Sequence, residues 1–470
     1  MSAARRLTIA LDEQNWRFPL ESRCRSEAAQ QGAASSFHNG ERRHIVSTGI
    51  DRAIRYIVEL LGNRSEQDLL ARFQPRRQGY QKFPHGSGFN ATELERRWAR
   101  LESLAPSARK SILEGMTPSQ LSDHAVSIEN FVGTVKVPLG IAGPLRVNGL
   151  FAQGDYLIPL ATTEGALIAS YNRGAVLVSA AGGCSAALLD EGVSRSPGFA
   201  FSSLAEVGGF LGWISMNMDA LKQAAERTTR FGKVKDLNIS VEGNHVYLIF
   251  DFTTGDAAGQ NMVTIATEAI VAHILEHCPY KPAYHFVEAN HSGDKKASAQ
   301  SFQHVRGKKV TAEVSLPAGL VERVLHTTPT MMTDYWRMSA IGGVLSGTLG
   351  VQGHYANGLA ALYIACGQDA ACVSESAVGV TRMETTTAGD LYIAVTLPNL
   401  IVGTVGGGTG LPSQSACLAI MGLAGAGHAR AFAEVAAAVC LAGELSIIGA
   451  LCAGHFARAH KDLARRRFAE

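Results

Sequence analysis

Charge is scarce in this chain: Asp, Glu, Lys and Arg make up 18% of 470 residues and nearly cancel, to a formal +2. A surface with no dominant sign does not steer nucleic acid or an anionic membrane, and the run Arg465-Arg466-Arg467 is too short to change that. Small-molecule partners are expected instead. Cys-x-x-Cys pairs are missing as well. The eight cysteines, at 24, 184, 278, 366, 372, 417, 440 and 452, mostly sit among small apolar residues, which argues for reduced thiols and a cytoplasmic setting. Arg5 and Arg6 are followed by no sustained apolar run, so neither a signal peptide nor an anchor is expected there. The stretch nearest to a membrane span, from Val435 to Phe456, carries Glu444 and many small residues, which suits a buried core helix. No strand pattern leads into Gly-x-Gly-x-x-Gly, and the near match from Gly86 to Ala91 has no strand before it, which argues against a Rossmann domain. His273 and His277 share a helix face but lack the Glu of a zinc-protease motif, so no metal is expected.

Glycine, by contrast, is abundant at 49 residues, well above the usual ~7%, and implies tight turns and close backbone packing. The stretch from Tyr156 to Ala175 organises the rest. An apolar strand ends at Pro159, small residues follow, and Glu164 stands where a helix is expected to begin. A helix N-terminus favours the charged carboxylate, whereas burial raises its pKa and makes it a proton donor; a simple capping Glu is the bland alternative. Ahead of this stretch, residues 1 to about 45 are polar and irregular and read as disordered, a helical pattern runs from Gly49 to Phe73, and Asn90 with Glu93 reads as a capping box opening the next helix.

From Pro197 onward the pattern is strand (197–201), helix (202–226), strand (237–241), strand (246–252), helix (260–277) and strand (283–287). That β-α-β-β-α-β order is ferredoxin-like, and its Gly/Ala-rich flanks mark an insertion into a larger domain. Within it, Thr254 to Met262 joins a strand to a helix, where free backbone N–H groups can cradle a pyrophosphate; a plain turn capped by Asp256 is the alternative. Thr229 and Arg230, with Lys233, offer a hydroxyl and two cations that suit the extra phosphate of NADPH. Beyond the insert, Asp294-Lys295-Lys296 lie on a glycine-containing loop. Asp369 falls in an apolar helix expected from Leu359 to Ala371, where it needs a cation that the lysine loop could supply. Gly403 to Gly410 forms a second backbone-rich anion site. Gly454-His455 closes the pattern as a plausible flap.

Glu129-Asn130 with Gly140 to Leu145, Ala161-Thr162-Thr163-Glu164-Gly165, Asp294-Lys295-Lys296, Gly367-Gln368-Asp369-Ala370-Ala371, Gly403 to Thr409 and Gly454-His455 together resemble the 3-hydroxy-3-methylglutaryl-coenzyme A reductase family, in order, from about Glu129 to His460. The likeness is to the catalytic portion of its eukaryotic-type class, without a membrane region. It implies NADPH-dependent four-electron reduction of the thioester to mevalonate, releasing coenzyme A. It also implies an α+β fold: a helical region (1–128), a large helix-rich substrate and CoA domain around a central buried helix (129–194 with 288–470), and the inserted dinucleotide-binding ferredoxin-like domain (195–287).

By that resemblance Lys295 holds the oxyanion, Glu164 donates a proton, Asp369 is a buried carboxylate coupled to both, and His455 protonates the departing thiolate. Arg195, Asp294 and Lys296 would hold the substrate carboxylate. Ser170, Asn172, Arg337, His354 and Asn357 would hold coenzyme A. Thr229, Arg230, Asp256, Gly259, Asn261, Gly406, Gly407 and Gly408 would hold NADPH. An active site shared across a homodimer, or a dimer of dimers, is also implied. Departures from the family pattern fall at Glu288, where the family has Ser, at Ala258 and Gln260, where it has methionines, and at Val373, where it has Asn. Rival expectations are NAD-dependent oxidation of mevalonate, a CoA-thioester protein without redox chemistry, and an inactive binding module.

Overall fold

The computed structural model describes residues 50, 52, 54–55, 62, 65–75, 79, 82–86, 90–125 and 128–455. The start expected to be disordered, Ser87 to Phe89 of the glycine motif, most of the helix expected from Gly49, and everything after His455 lie outside the described residues. The chain divides into two units, Met1–Gln81 and Lys82–Glu470. In the first, Ser65 and Asp68 cap the helix Glu66–Phe73 reciprocally. In the second, Asn90 accepts hydrogen bonds from the N–H groups of Thr92 and Glu93 and opens the helix Ala91–Glu102. That helix buries Trp98, whose indole donates to the Val132 carbonyl at 3.0 Å.

The second unit is built on one branched sheet of strands β1 (Leu139–Gly149), β2 (Gln153–Ala161), β3 (Cys184–Arg195), β4 (Gly198–Ala200), β5 (Lys233–Glu242), β6 (His245–Thr253), β7 (Tyr284–Phe286), β8 (Gly307–Leu316), β9 (Gly350–Val351), β10 (Gly379–Thr385) and β11 (Leu391–Leu400). One branch reads β2-β1-β3-β8-β11-β10-β9, antiparallel apart from the parallel pairs β1 with β3 and β10 with β9. In β8 the alternating residues Val310, Ala312, Val314 and Leu316 turn inward, as their period of two requires.

Against this branch lies the helix Ala429–Cys452. It is long and apolar enough to cross a membrane by composition, but 83% of its most apolar window is covered by protein. Ala-rich sequence lets neighbours approach closely: a Cβ on Gly174 of the helix Leu167–Ala180 would sit 1.9 Å from the Ala442 carbonyl oxygen. The central buried helix implied by the sequence is therefore this one.

The other branch reads β7-β4-β6-β5, the strand order of a ferredoxin-like sheet, with its own apolar cluster around Phe199, Phe210, Phe250 and Ile270. The helix Gln260–His277 has the bounds expected, whereas the first expected helix is broken at Asn217 into Leu204–Met216 and Met218–Glu226. β3 runs out of the first branch and ends by pairing Val193–Arg195 with β6, which plants Arg195 at the junction of the two sheets.

Candidate active site

Two cavities bring half of the sequence-predicted residues together. The first, about 620 Å³, is lined by Glu164, Ser170, Arg173, Tyr335, His354 and Asn357 among others. Glu164 does not open the helix. Ala166 intervenes in a left-handed conformation (φ 71°), the helix starts at Leu167, and the exposed Glu164 carboxylate instead accepts a hydrogen bond from Asn357 Nδ2 at 2.7 Å. The capping alternative therefore fails, and of the two effects weighed for Glu164 neither burial nor a helix N-terminus acts on it directly. Asn357 is in the first turn of the helix Tyr355–Ala365, whose N-cap His354 stacks on Tyr171 with ring centroids 5.2 Å apart. Burial pushes the His354 imidazole below its ordinary pKa, and no described donor or acceptor meets its Nδ1.

Of the other residues expected to hold coenzyme A, Asn172 and Arg337 are not in this lining. Asn172 accepts from the Gly143 N–H at 3.0 Å, and Arg337 pairs with Asp334 at 2.9 Å on the exposed face of its helix. Arg173, absent from the sequence expectations, does line the cavity, with its guanidinium donating to Ser446 Oγ and the Ser446 carbonyl. The signal was available: Ser170 and Arg173 are three residues apart and share a helix face. His455 follows the central helix, with its ring 5.8 Å from that of His326.

The second cavity, about 500 Å³, runs between the N-terminus of the helix Gln260–His277 and the Gly-rich loop, and is lined by Gly259, Asn261, Asp369, Gly406, Gly407 and Gly408 among others. Gly406 and Gly407 have positive φ and open space where a side chain would stand, so backbone N–H groups can face a ligand there. Thr229, Arg230 and Asp256 are not in this lining. Thr229 Oγ1 accepts from the N–H groups of Phe231 and Gly232 in its own turn. The Asp256 carboxylate accepts from the N–H groups of Gly427 and Ala429, at 2.8 and 3.2 Å, where the central helix begins; it does not cap the adjacent helix Gln260–His277, which has no side-chain cap, so the capping alternative fails as well.

Asp369 is not inside a helix. The helix ends at Ala365, Gly367 turns the chain with φ 68°, and Asp369 caps a short 3-10 turn, Ala370–Cys372. Its side chain is 42% exposed, so the buried carboxylate expected from an unbroken apolar helix is corrected to a half-exposed one. The Lys295 ammonium lies 2.8 Å from it. Partial burial works to raise the Asp369 carboxyl, but the hydrogen bonds from Lys295 and Ala371 outweigh it and hold the pKa below its usual value. The same hydrogen bond raises the Lys295 ammonium. In a single chain Asp369 therefore couples to Lys295, while Glu164 couples to Asn357 in the other cavity.

Lys295 itself is left-handed (φ 57°), which costs a residue with a Cβ about 1–2 kcal/mol. Beside it, Asp294 bridges Arg195 and Arg306 at 3.0 and 2.8 Å; burial would raise its pKa, and the two guanidiniums more than reverse that. Glu288 turns inward to Arg195 at 3.3 Å, so Arg195, only 7% exposed, already carries two carboxylates. Lys296 is exposed. Among the described residues, no group of three His, Cys, Asp or Glu could hold a metal ion.

The α+β fold, a branched sheet with a ferredoxin-like arm around a central buried helix, has counterparts among solved structures. The class II 3-hydroxy-3-methylglutaryl-CoA reductase from Streptococcus pneumoniae, solved bound to NADPH in open conformations, superposes with a TM-score of 0.57 at 19% identity, covering 77% of this chain and all of that one. The hydroxymethylglutaryl-coenzyme A reductase family matches residues 93–465, and the chain belongs to that family. Among its relatives are the 3-hydroxy-3-methylglutaryl-coenzyme A reductases of Methanothermobacter thermautotrophicus, 46% identical over 72% of this chain and 85% of that protein, and of Pyrococcus horikoshii, 42% identical over 82% and 94%. Both are archaeal, which refines the eukaryotic-type likeness of the motifs.

Proposed function

We propose that the chain reduces 3-hydroxy-3-methylglutaryl-CoA to mevalonate and coenzyme A with NADPH, in the cytoplasm and as a homodimer or dimer of dimers. The observation that carries the reading is the Lys295–Asp369 pair: an ammonium kept protonated by a carboxylate that lines a cavity walled by backbone N–H groups. Gly259, Asn261 and Gly406 to Gly408 would hold the dinucleotide there, and we take residues 195–287 as its domain. When bound, NADPH supplies one hydride to the thioester carbon and, in a second round, one to the aldehyde.

Each delivery leaves negative charge on oxygen, which the Lys295 ammonium would hold; a fixed donor of this kind is worth about 3–4 kcal/mol. Breaking the C–S bond releases a thiolate that His455 protonates. The final alkoxide takes its proton from Glu164. Ser170, Arg173, His354 and Asn357 line the cavity assigned to coenzyme A.

Glu164 lines one cavity and Asp369, the partner of Lys295, lines the other, and we take a second copy to bring the two to one substrate. The helix Pro329–Ser346 supports such a partner, because Met331, Met338, Ile341, Val344 and Leu345 are 51–83% exposed along it. An apolar stripe of this size marks an interaction face.

The test is loss of absorbance at 340 nm when the full chain meets the thioester with NADPH or NADH, with thiol release followed in parallel. Two reduced nicotinamides consumed per thiol released is the expected stoichiometry, and Lys295→Ala is expected to lose about 10²–10³-fold in kcat. Thiol release without nicotinamide oxidation would overturn the reading in favour of a thioesterase.

A further inference from the structure

The backbone and the ammonium of Lys295 are both gripped from one short stretch. Asp369 holds the ammonium at 2.8 Å. Ser374 Oγ donates to the Lys295 carbonyl at 2.7 Å, and Glu375 Oε1 accepts from the Lys295 N–H at 3.1 Å. These partners span the 3-10 turn Ala370–Cys372 and the helix Val373–Ser376, so the left-handed Lys295 is over-determined by its surroundings, which is the condition under which such strain persists.

Behind the grip stands a buried ion pair. The Glu375 side chain is completely buried, and its Oε2 lies 2.5 Å from Nη1 of Arg306, which is 2% exposed. Nη2 of Arg306 reaches Asp294 Oδ1 at 2.8 Å and Gln260 Oε1 at 2.7 Å. One guanidinium thus registers the lysine loop against the first residue of the helix whose N-terminus lines the second cavity. Buried ion pairs are often no more stabilising than apolar residues of the same volume, so stability is weak ground for two charges taken out of water.

We propose that the Arg306–Glu375 pair, with Ser374, is a positioning device for Lys295, setting residues 294–296 so that the ammonium meets Asp369 at the cavity. The inference rests on Lys295 being the oxyanion-holding group, and it assigns Arg306, Ser374 and Glu375 no contact with substrate. Displacement of a reacting group by an ångström costs on the order of 10²-fold in rate, which is the scale on which such a device acts.

The experiment uses the full chain with Glu375→Gln, the apolar exchange Arg306→Met with Glu375→Leu, Ser374→Ala and Ser374→Thr. Three quantities are read: kcat and KM in the NADPH assay, the melting temperature, and the rate at which acetic anhydride labels Lys295 as a function of pH, followed by peptide mass. Glu375→Gln and the apolar exchange are expected to lose about tenfold or more in kcat, with KM for the thioester within about threefold, and to label Lys295 faster and at lower pH.

Ser374 is exposed, so its variants fold irrespective of the buried pair; the Ala variant is expected to lose about threefold in kcat and the Thr variant to restore it. A folded apolar exchange with wild-type kcat and wild-type labelling overturns the proposal. Should the wild-type chain oxidise no nicotinamide, the functional reading falls instead, and the labelling comparison alone decides the clamp: faster labelling in the variants supports it, and equal labelling overturns it.

Discussion

Around Lys295 the carboxylates have cations: Asp369 has the lysine itself, Asp294 has Arg195 and Arg306, Glu375 has Arg306, and Glu288 has Arg195. Around Glu164 the carboxylates themselves meet neutral donors, and the guanidinium that lines the same cavity, Arg173, donates to Ser446 instead. Glu164 takes an amide hydrogen from Asn357, and the completely buried Glu444 takes the N–H groups of Gly353 and His354 and the hydroxyl of Thr381, with no ion pair among the described residues. In the first arrangement the cations hold Asp294 and Asp369 below the ordinary carboxylate range, whereas burial raises Glu375 despite Arg306. The second holds carboxylates by dipoles, which fix orientation without fixing the proton. If the site is divided as proposed, the lysine side supplies the permanent charge and the glutamate side the proton that moves.

The sharpest way to break that contrast is Asp369→Asn. Lys295 has a raised pKa because of Asp369, and Asp369 a lowered one despite its partial burial, because of Lys295 and Ala371. Stability from the raised ammonium is present below its unfolded pKa and is lost as pH rises through the folded value. Stability from the depressed carboxyl is present above its unfolded pKa and is lost as pH falls through the folded value. The pair is therefore intact through the neutral range. Asp369→Asn is expected to lower kcat by about 10²-fold and to move the alkaline fall in Lys295 charge, read by labelling or by the kcat profile, to lower pH. An unmoved alkaline limb would show that Asp369 does not govern the ammonium.

A smaller effect is expected on the neutral side from Glu444→Gln. Burial pushes the Glu444 carboxyl up, while the Thr381 hydroxyl and the Gly353 and His354 N–H groups pull it back. Both oxygens meet only donors, so an amide nitrogen placed there faces another donor. A loss of about 2–3 kcal/mol in unfolding free energy is expected. His354 is the N-cap of the helix that carries Asn357 to Glu164, so about a tenfold loss of kcat should accompany it. Urea unfolding and the NADPH assay on the same preparation check both, and full activity in a destabilised Glu444→Gln would separate the network from the chemistry.

These two sides were unequally legible in the sequence. Period-two alternation over 237–241 and 246–252 and the length of the 260–277 helix were enough for the ferredoxin-like branch; in β6 the alternating Val246, Leu248, Phe250 and Phe252 are buried, whereas in β5 Ile239 and Val241 stay exposed. Asp369 was read inside a helix because only Gly367 interrupts an apolar run, and a lone glycine is compatible with either outcome. What decides it is backbone contact: a Cβ at Gly367 would lie 2.3 Å from the Gly408 carbonyl oxygen, so the Gly-rich loop packs directly onto the turn. Glu164 and Asn357 are separated by 193 positions, and Arg306 by 69 from Glu375, so no local pattern announces either pair. Arg306 in particular sits in a polar stretch that reads as surface.

The smallest effect on activity, and the control that sharpens the comparison, concerns a carboxylate with neither arrangement. Asp251 on β6 is largely buried; no described donor reaches its Oδ1, and Asn238 approaches Oδ2 only at 3.5 Å. Burial raises its pKa to about 6, with His304 opposing. The sign is opposite to that of Asp369: with a folded pKa above the unfolded one of about 3.9, the native state binds more protons between the two values, so stability falls as pH rises through that window and stays low above it. Two pKa units correspond to roughly 3 kcal/mol. Asp251→Asn removes the penalty and is expected to raise the unfolding free energy by about 2–3 kcal/mol at pH 8, by less than about 1 kcal/mol near pH 4, and to leave kcat unchanged. Urea unfolding at the two pH values reads this directly. A gain at both would place the effect in packing, and no gain at pH 8 would mean that a donor reaches Asp251 in solution and that this carboxylate, too, belongs with those held by dipoles.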